Sequence, residues 1–193
     1  MSVDAPPQER TSPGWLFALA TVGVATLLQA TPDLGAALQL DRQSWPSQPW
    51  RLITAHLVHW RFAHLAGNAC ALLLLARLSG TRAPSPEWAL SGLLLCSATV
   101  LWLLPDLASY RGSSTLVAIY LVPAVATLWA RGGLRRGVAA ALLALYASRL
   151  LADASGHWPS PLLPADVRST WELHLLGMGW GALGLLRRSR ISR

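Results

Sequence analysis

Six apolar runs, each close to the length needed to cross a bilayer, alternate in this chain with segments that hold most of its charge. They cover residues 14–30, 62–78, 88–104, 113–129, 137–151 and 169–186. The hydrocarbon core of a membrane takes ~20 helical residues to cross. Hydrocarbon offers no partner to an unpaired backbone amide, so such runs are expected to cross as helices. The expected fold is an all-α membrane protein with a six-transmembrane-helix bundle. Charged residues make up 13% of the chain, against ~25% in a soluble domain, because ionisable groups are costly in hydrocarbon and collect in the connections. Ten tryptophans fit the same reading, since the indole ring favours the membrane interface. One membrane domain is expected over 14–187, between a polar tail at 1–13 and a basic tail at 188–193. The first tail lacks the basic start and cleavage site of a signal peptide, so the first run reads as a retained span.

Every basic residue is arginine, a usage that fits a GC-rich bacterial genome. Placing both termini on one side gathers Arg10, Arg77, Arg82, Arg131, Arg135, Arg136, Arg187, Arg188, Arg190 and Arg193 there. The other side keeps Arg42, Arg51, Arg61, Arg111, Arg149 and Arg168. Short basic loops stay in the cytoplasm, so both termini are expected on the cytoplasmic side of a bacterial inner membrane.

Polar groups inside spans are the first place to look for chemistry. His64 and Asn68, four residues apart, share one helix face and can donate toward one point. Gly112-Ser113-Ser114-Thr115 stands where the fourth span begins. A serine there is an ordinary helix cap, or a nucleophile whose oxyanion meets the free amides of a helix N-terminus. His174 in the sixth span shares a face with Gly177 and Gly181, which form a GxxxG that admits a neighbouring helix closely. Each feature alone also reads as helix packing. The orientation, however, brings Ser114, His174 and the His64/Asn68 pair in from the same face, within one to two turns of it. A Ser–His dyad with a donor-lined oxyanion hole is the chemistry this set supports.

Other groups carry less. His56 and His59, with Trp50 and Arg51, read as interfacial groups without chemistry, and no HExxH pattern accompanies them. Cys70 and Cys96 read as small apolar helix residues. Glu172 points to nearly the opposite helix face from His174 and is not expected to join it. No metal and no cofactor is expected.

These residues resemble the rhomboid family of intramembrane serine proteases. The resemblance runs from Trp50-Arg51 and Thr54 through His59, His64-xxx-Asn68 and Gly112-x-Ser114 to His174-xx-Gly177-xxx-Gly181. The stretch LDRQSWPSQPWRLITAHLVHW and the sequence ELHLLG are most similar to the rhombosortase branch. The resemblance implies Ser114 as nucleophile and His174 as general base. It implies an oxyanion hole of His64, Asn68 and the Ser114 amide, with Gly177 and Gly181 packing the sixth helix on the fourth. It implies a membrane-anchored protein substrate, cut near the outer face, and for the rhombosortase branch C-terminal Gly-Gly-type sorting tails. The expected partners are that substrate and the lipid bilayer, with no nucleic acid. The fifth span and the loop from Trp158 to Pro164 are the expected gate.

The chain departs from the family pattern at three positions. Thr115 replaces a glycine after the serine, Ser113 replaces a hydrophobic residue before it, and Ala118 stands where rhomboids place Tyr and rhombosortases His. Two other readings follow. One is a catalytically weak or inactive pseudoprotease that binds membrane segments; the other is a haem carrier ligated by His64 and His174.

Overall fold

The computed structural model describes residues 12–156 and 160–191. The tail residues 1–11 and 192–193, and Trp158 and Pro159 of the expected gate, lie outside the described residues. The helices are α1 (Pro13–Gln29), α2 (Pro32–Leu38), α3 (Arg51–Thr54), α4 (Phe62–Ser79), α5 (Pro86–Leu103), α6 (Ser114–Arg131), α7 (Leu134–Ser155) and α8 (Trp171–Ile191). Two short strands, β1 (Leu40–Asp41) and β2 (Ser109–Tyr110), pair antiparallel, with Leu40 opposite Tyr110.

Each of the six apolar runs is a helix. Four of them, α4 to α7, are long and apolar enough to cross a membrane. The α1 helix is apolar but has 17 residues, and α8 carries Glu172 in its first turn and Arg188 and Arg190 in its last. Ser12 and Ser85 start α1 and α5, each accepting from an amide three residues on, with proline in the first turn. Leu27, Leu134, Leu145 and Leu151 are each at least 69% exposed. An outer surface that apolar suits lipid and not water.

The centre of the bundle is α6, whose residues from Thr115 to Leu121 are all buried. It packs between α4 and α8, with α7 and α5 also against it. The Tyr120 hydroxyl donates to Gly14 O of α1 at 2.7 Å, and Thr127 Oγ1 donates to Ser79 O of α4 at 3.1 Å. Pro123 lies inside α6. Having no N–H, it leaves the carbonyl of Ile119 without its helical partner. That carbonyl faces Gly181 of α8, where a Cβ would come within 2.5 Å of it. The missing side chain lets the α8 backbone approach closely enough for a Cα–H···O contact.

The connector between the first two spans is structured, where the sequence pointed only to a polar link. Arg51 is buried at 7% exposure. Its guanidinium donates to Ala36 O, Gln39 O and Gln48 Oε1 at 3.1, 2.7 and 2.7 Å, which folds α2 and α3 together. Arg42 reaches the end of α5, donating to the carbonyls of Val100 at 2.7 Å, Leu104 at 2.9 Å and Leu101. Those carbonyls have no helical partner at a C-terminus, and the cation also suits the negative end of the helix.

His56 is likewise fully buried. Its Nε2 donates to Leu93 O and lies 3.1 Å from both that atom and Ser97 Oγ. Burial pushes its pKa from 6.5 down to about 4, so the folded ring is neutral. The unfolded chain then takes up a proton that the folded chain refuses, and this part of the stability is complete above pH 6.5 and lost progressively down to about pH 4. Thermal melting in detergent should therefore fall across that window, and His56→Gln should flatten the fall. An equally steep fall in His56→Gln would show that other groups carry it.

Candidate active site

The site is built where α6 begins. Gly112 has φ +128°, a region that glycine alone enters without strain, and its position leaves no room for a side chain. A Cβ there would stand 2.8 Å from His64 Cε1, 3.1 Å from His64 Nε2 and 3.7 Å from Asn68 Nδ2. His64 and Asn68, a turn apart on α4, thus lie against the backbone that leads into the serines. Gly112 is held on both sides, its N–H donating to Ala55 O at 2.9 Å and its carbonyl accepting from the Tyr110 hydroxyl at 2.8 Å.

The two serines have different surroundings. Ser113 is 4% exposed, and His59 Nε2 accepts from its amide at 3.3 Å and from its hydroxyl at 3.1 Å. His59 is buried. Burial, with the neighbouring His64 and His56 rings disfavouring a further positive charge, pushes its pKa down to about 3 and keeps the ring neutral. Ser114 is half-buried. It lines a cavity of about 730 Å³ whose wall also holds His174, His64, Asn68 and Tyr146.

His174 reaches this cavity through the packing of α8 on α6. A Cβ on Gly177 would meet Ala118 Cβ and Thr115 O, both at 2.7 Å, and one on Gly181 would meet Ile119 O. The two glycines and their partners are each four residues apart, so α6 and α8 run parallel in one register. One turn before Gly177, that register sets His174 beside the start of α6. Ser114 and His174 are not hydrogen-bonded to one another; they share the cavity wall. A proton transfer between them needs the bond to form, as is common when a site closes on substrate.

The departures from the family pattern find places in this packing. Thr115 is fully buried, with Oγ1 3.2 Å from Cys96 Sγ of α5 and Cγ2 toward Gly177. It is absent from the cavity wall. Ala118 fills the space against Gly177, and the tightness of that contact leaves no room for a ring on α6.

A ring comes instead from α7, which sequence reasoning did not assign to the site. Tyr146 and His174 have centroids 6.0 Å apart, with planes tilted by 52°. Arg149 and Asp153 follow Tyr146 on the cavity wall, paired with each other, and the Asp153 side chain is 1% exposed. The Tyr146 hydroxyl, Asp153 Oδ2, His64 Nδ1 and Asn68 Nδ2 are all buried without a hydrogen-bond partner. All four belong to residues of the cavity wall. The available signal was the spacing of Tyr146, Arg149 and Asp153, a polar stripe on one face of an otherwise apolar helix.

The mouth is covered by 160–170, most of which lines the cavity. Leu162 seats on α4, where a Cβ on Gly67 would stand 3.0 Å from Leu162 Cδ1. Glu172 turns outward to Arg168, at 2.6 Å, and takes no place beside His174. His56 and His59 make separate hydrogen bonds to protein groups, and no group of three metal-ligating side chains occurs among the described residues. No protein-family model matches the chain, and neither a curated protein nor a solved structure matches it. Its function is therefore read from its own residues.

If the α6–α8 contact sets the position of His174, one methyl group at Gly177 should matter more than one at Gly179, which faces open space. Gly177→Ala should cost about 1–3 kcal/mol by overpacking, seen as a lower melting temperature, while Gly179→Ala stays near wild type. Equal melting of the two variants would contradict the tight contact.

Proposed function

We propose that the chain is an intramembrane serine protease of the rhomboid type, with six spans and both termini in the cytoplasm. It cleaves a membrane-anchored protein near the outer face. The observation that carries this reading is the division of labour between adjacent serines. Ser113 is committed to His59, whereas Ser114 opens on a cavity shared with His174, His64 and Asn68. A helix cap alone gives no reason for two imidazoles and a side-chain amide to converge beside it.

In this reading the Ser114 oxygen attacks the scissile carbonyl carbon as His174 takes the hydroxyl proton. The carbonyl oxygen becomes an oxyanion that accepts hydrogen bonds from His64, Asn68 and the Ser114 amide, aided by the positive end of α6. The C–N bond then breaks, the leaving amine takes the proton from His174, and an acyl-enzyme on Ser114 remains. Water, deprotonated by His174, releases the acid and restores the serine. The Tyr146 ring holds the imidazole, so the helix that must shift to admit substrate also supports the base. Resemblance to the rhombosortase branch names C-terminal Gly-Gly-type tails as the substrate class.

A second reading, a pseudoprotease that binds membrane segments without cutting them, draws on the absence of a Ser114–His174 hydrogen bond. Cleavage of a fluorescent fusion carrying a Gly-Gly-type membrane tail in liposomes separates the two. Ser114→Ala should lower cleavage by roughly a thousandfold or more, and Ser113→Ala should retain it. Tyr146→Phe should keep the rate, and Tyr146→Leu should lower kcat roughly tenfold at unchanged KM. Absence of cleavage by the wild type on this tail and on generic membrane-anchored substrates would favour the pseudoprotease.

A further inference from the structure

A second cavity, of about 520 Å³, lies between α5, α6 and α8 at the end of α8 away from His174. Arg82, Arg187 and Arg188 line it, with Glu87 the one carboxylate on its wall. The arginines are held in place from different directions. Arg82 donates to Ala126 O at 2.7 Å, and Arg188 donates to Thr81 O at 2.9 Å. Arg187 stands over the Trp88 ring, 5.5 Å from its centroid. Each of the first two bonds uses a single N–H of a five-donor fork, leaving most donors free. Among the described residues none of the three forms an ion pair, since the ion pairs there are Arg149–Asp153 and Arg168–Glu172.

The wall beside them is rigid. Trp88 of α5 and Trp180 of α8 stack with centroids 4.5 Å apart and planes within 10°. Each indole N–H donates to the other residue's backbone carbonyl, at 3.2 and 3.0 Å. Gly184 makes room for the stack, since a Cβ there would stand 2.6 Å from Trp88 Nε1. Tryptophan anchors at headgroup depth, and Pro84, Pro123 and Leu185 give the cavity an apolar part.

We propose that this cavity binds the phosphate headgroup of an anionic phospholipid. Three guanidinium groups against one exposed carboxylate leave a net positive site. Their planar forks match phosphate oxygens two at a time. A basic pocket between membrane helices, rimmed by tryptophan and continued by apolar side chains, fits a lipid's charge and its glycerol end together. The proposal rests on the chain being embedded in a bilayer and is independent of any protease activity.

The test uses the full chain in phosphatidylcholine nanodiscs, titrated with phosphatidylglycerol. Bound lipid is counted by native mass spectrometry and stability is read by thermal melting. Wild type should retain phosphatidylglycerol over phosphatidylcholine by about tenfold and melt higher with it. Arg82→Gln/Arg188→Gln should lose both effects, whereas Arg190→Gln, a charge removed outside the cavity, should keep them. Arg82→Lys/Arg188→Lys, which keeps the charge but not the fork, should bind more weakly than wild type. It serves as the test should the glutamine variant not fold in phosphatidylcholine. Inorganic phosphate at the same concentration should not raise melting. Equal loss in Arg190→Gln, full retention in the lysine variant, or the same shift from inorganic phosphate alone would overturn the proposal.

Discussion

The backbones of α6 and α8 meet at Gly177 and Gly181, and the placement of His174 on the Ser114 cavity follows from that contact. Pro123 frees the Ile119 carbonyl, and Gly181 lets α8 come up to it. Gly177 fixes the same register a turn earlier, against Thr115 and Ala118. With the register set, His174 has one place to be, at the start of α6. Between membrane helices there is little hydrophobic drive to association, so small residues that permit close packing take its place. A side chain at either glycine would move the imidazole as well as the helix.

The other wall of the cavity has a different character. On α4, His64 and Asn68 press against Gly112, and on the loop before it His59 holds Ser113, so the entry to α6 is pinned. The α7 helix is the least buried of the four long apolar helices, with Ala139 its one buried residue. Yet it brings Tyr146 to His174 and an Arg149–Asp153 pair to the cavity. Under the proposed function, a helix with so little buried surface is suited to admit a substrate, and its return would restore the support of the base.

The six runs were legible because hydrocarbon imposes one rule on every residue of a span. The serine, histidine and glycine motifs were legible because helical spacing tells which side chains share a face. The different surroundings of the two serines, Ser113 against His59 and Ser114 on the cavity, were not, since they depend on a contact 54 residues away in sequence. The burial of Arg51, His56 and His59 was not legible for a related reason. Polar residues near a span look exposed until a long-range carbonyl or hydroxyl is found for each, and here Ala36, Leu93 and Ser113 supply them. Tyr146 was missed because the ring expected on α6 comes from another helix.

The proposed chemistry stands on Ser114 and His174 acting together across α6 and α8. The most direct measurement is the site of covalent labelling by a fluorophosphonate, located by peptide mass spectrometry on the reconstituted full chain. The proposed dyad predicts an adduct on Ser114, none on Ser113, and loss of labelling in His174→Ala while the helical content stays unchanged. An adduct on Ser113, or labelling of Ser114 that persists undiminished in His174→Ala, would contradict it.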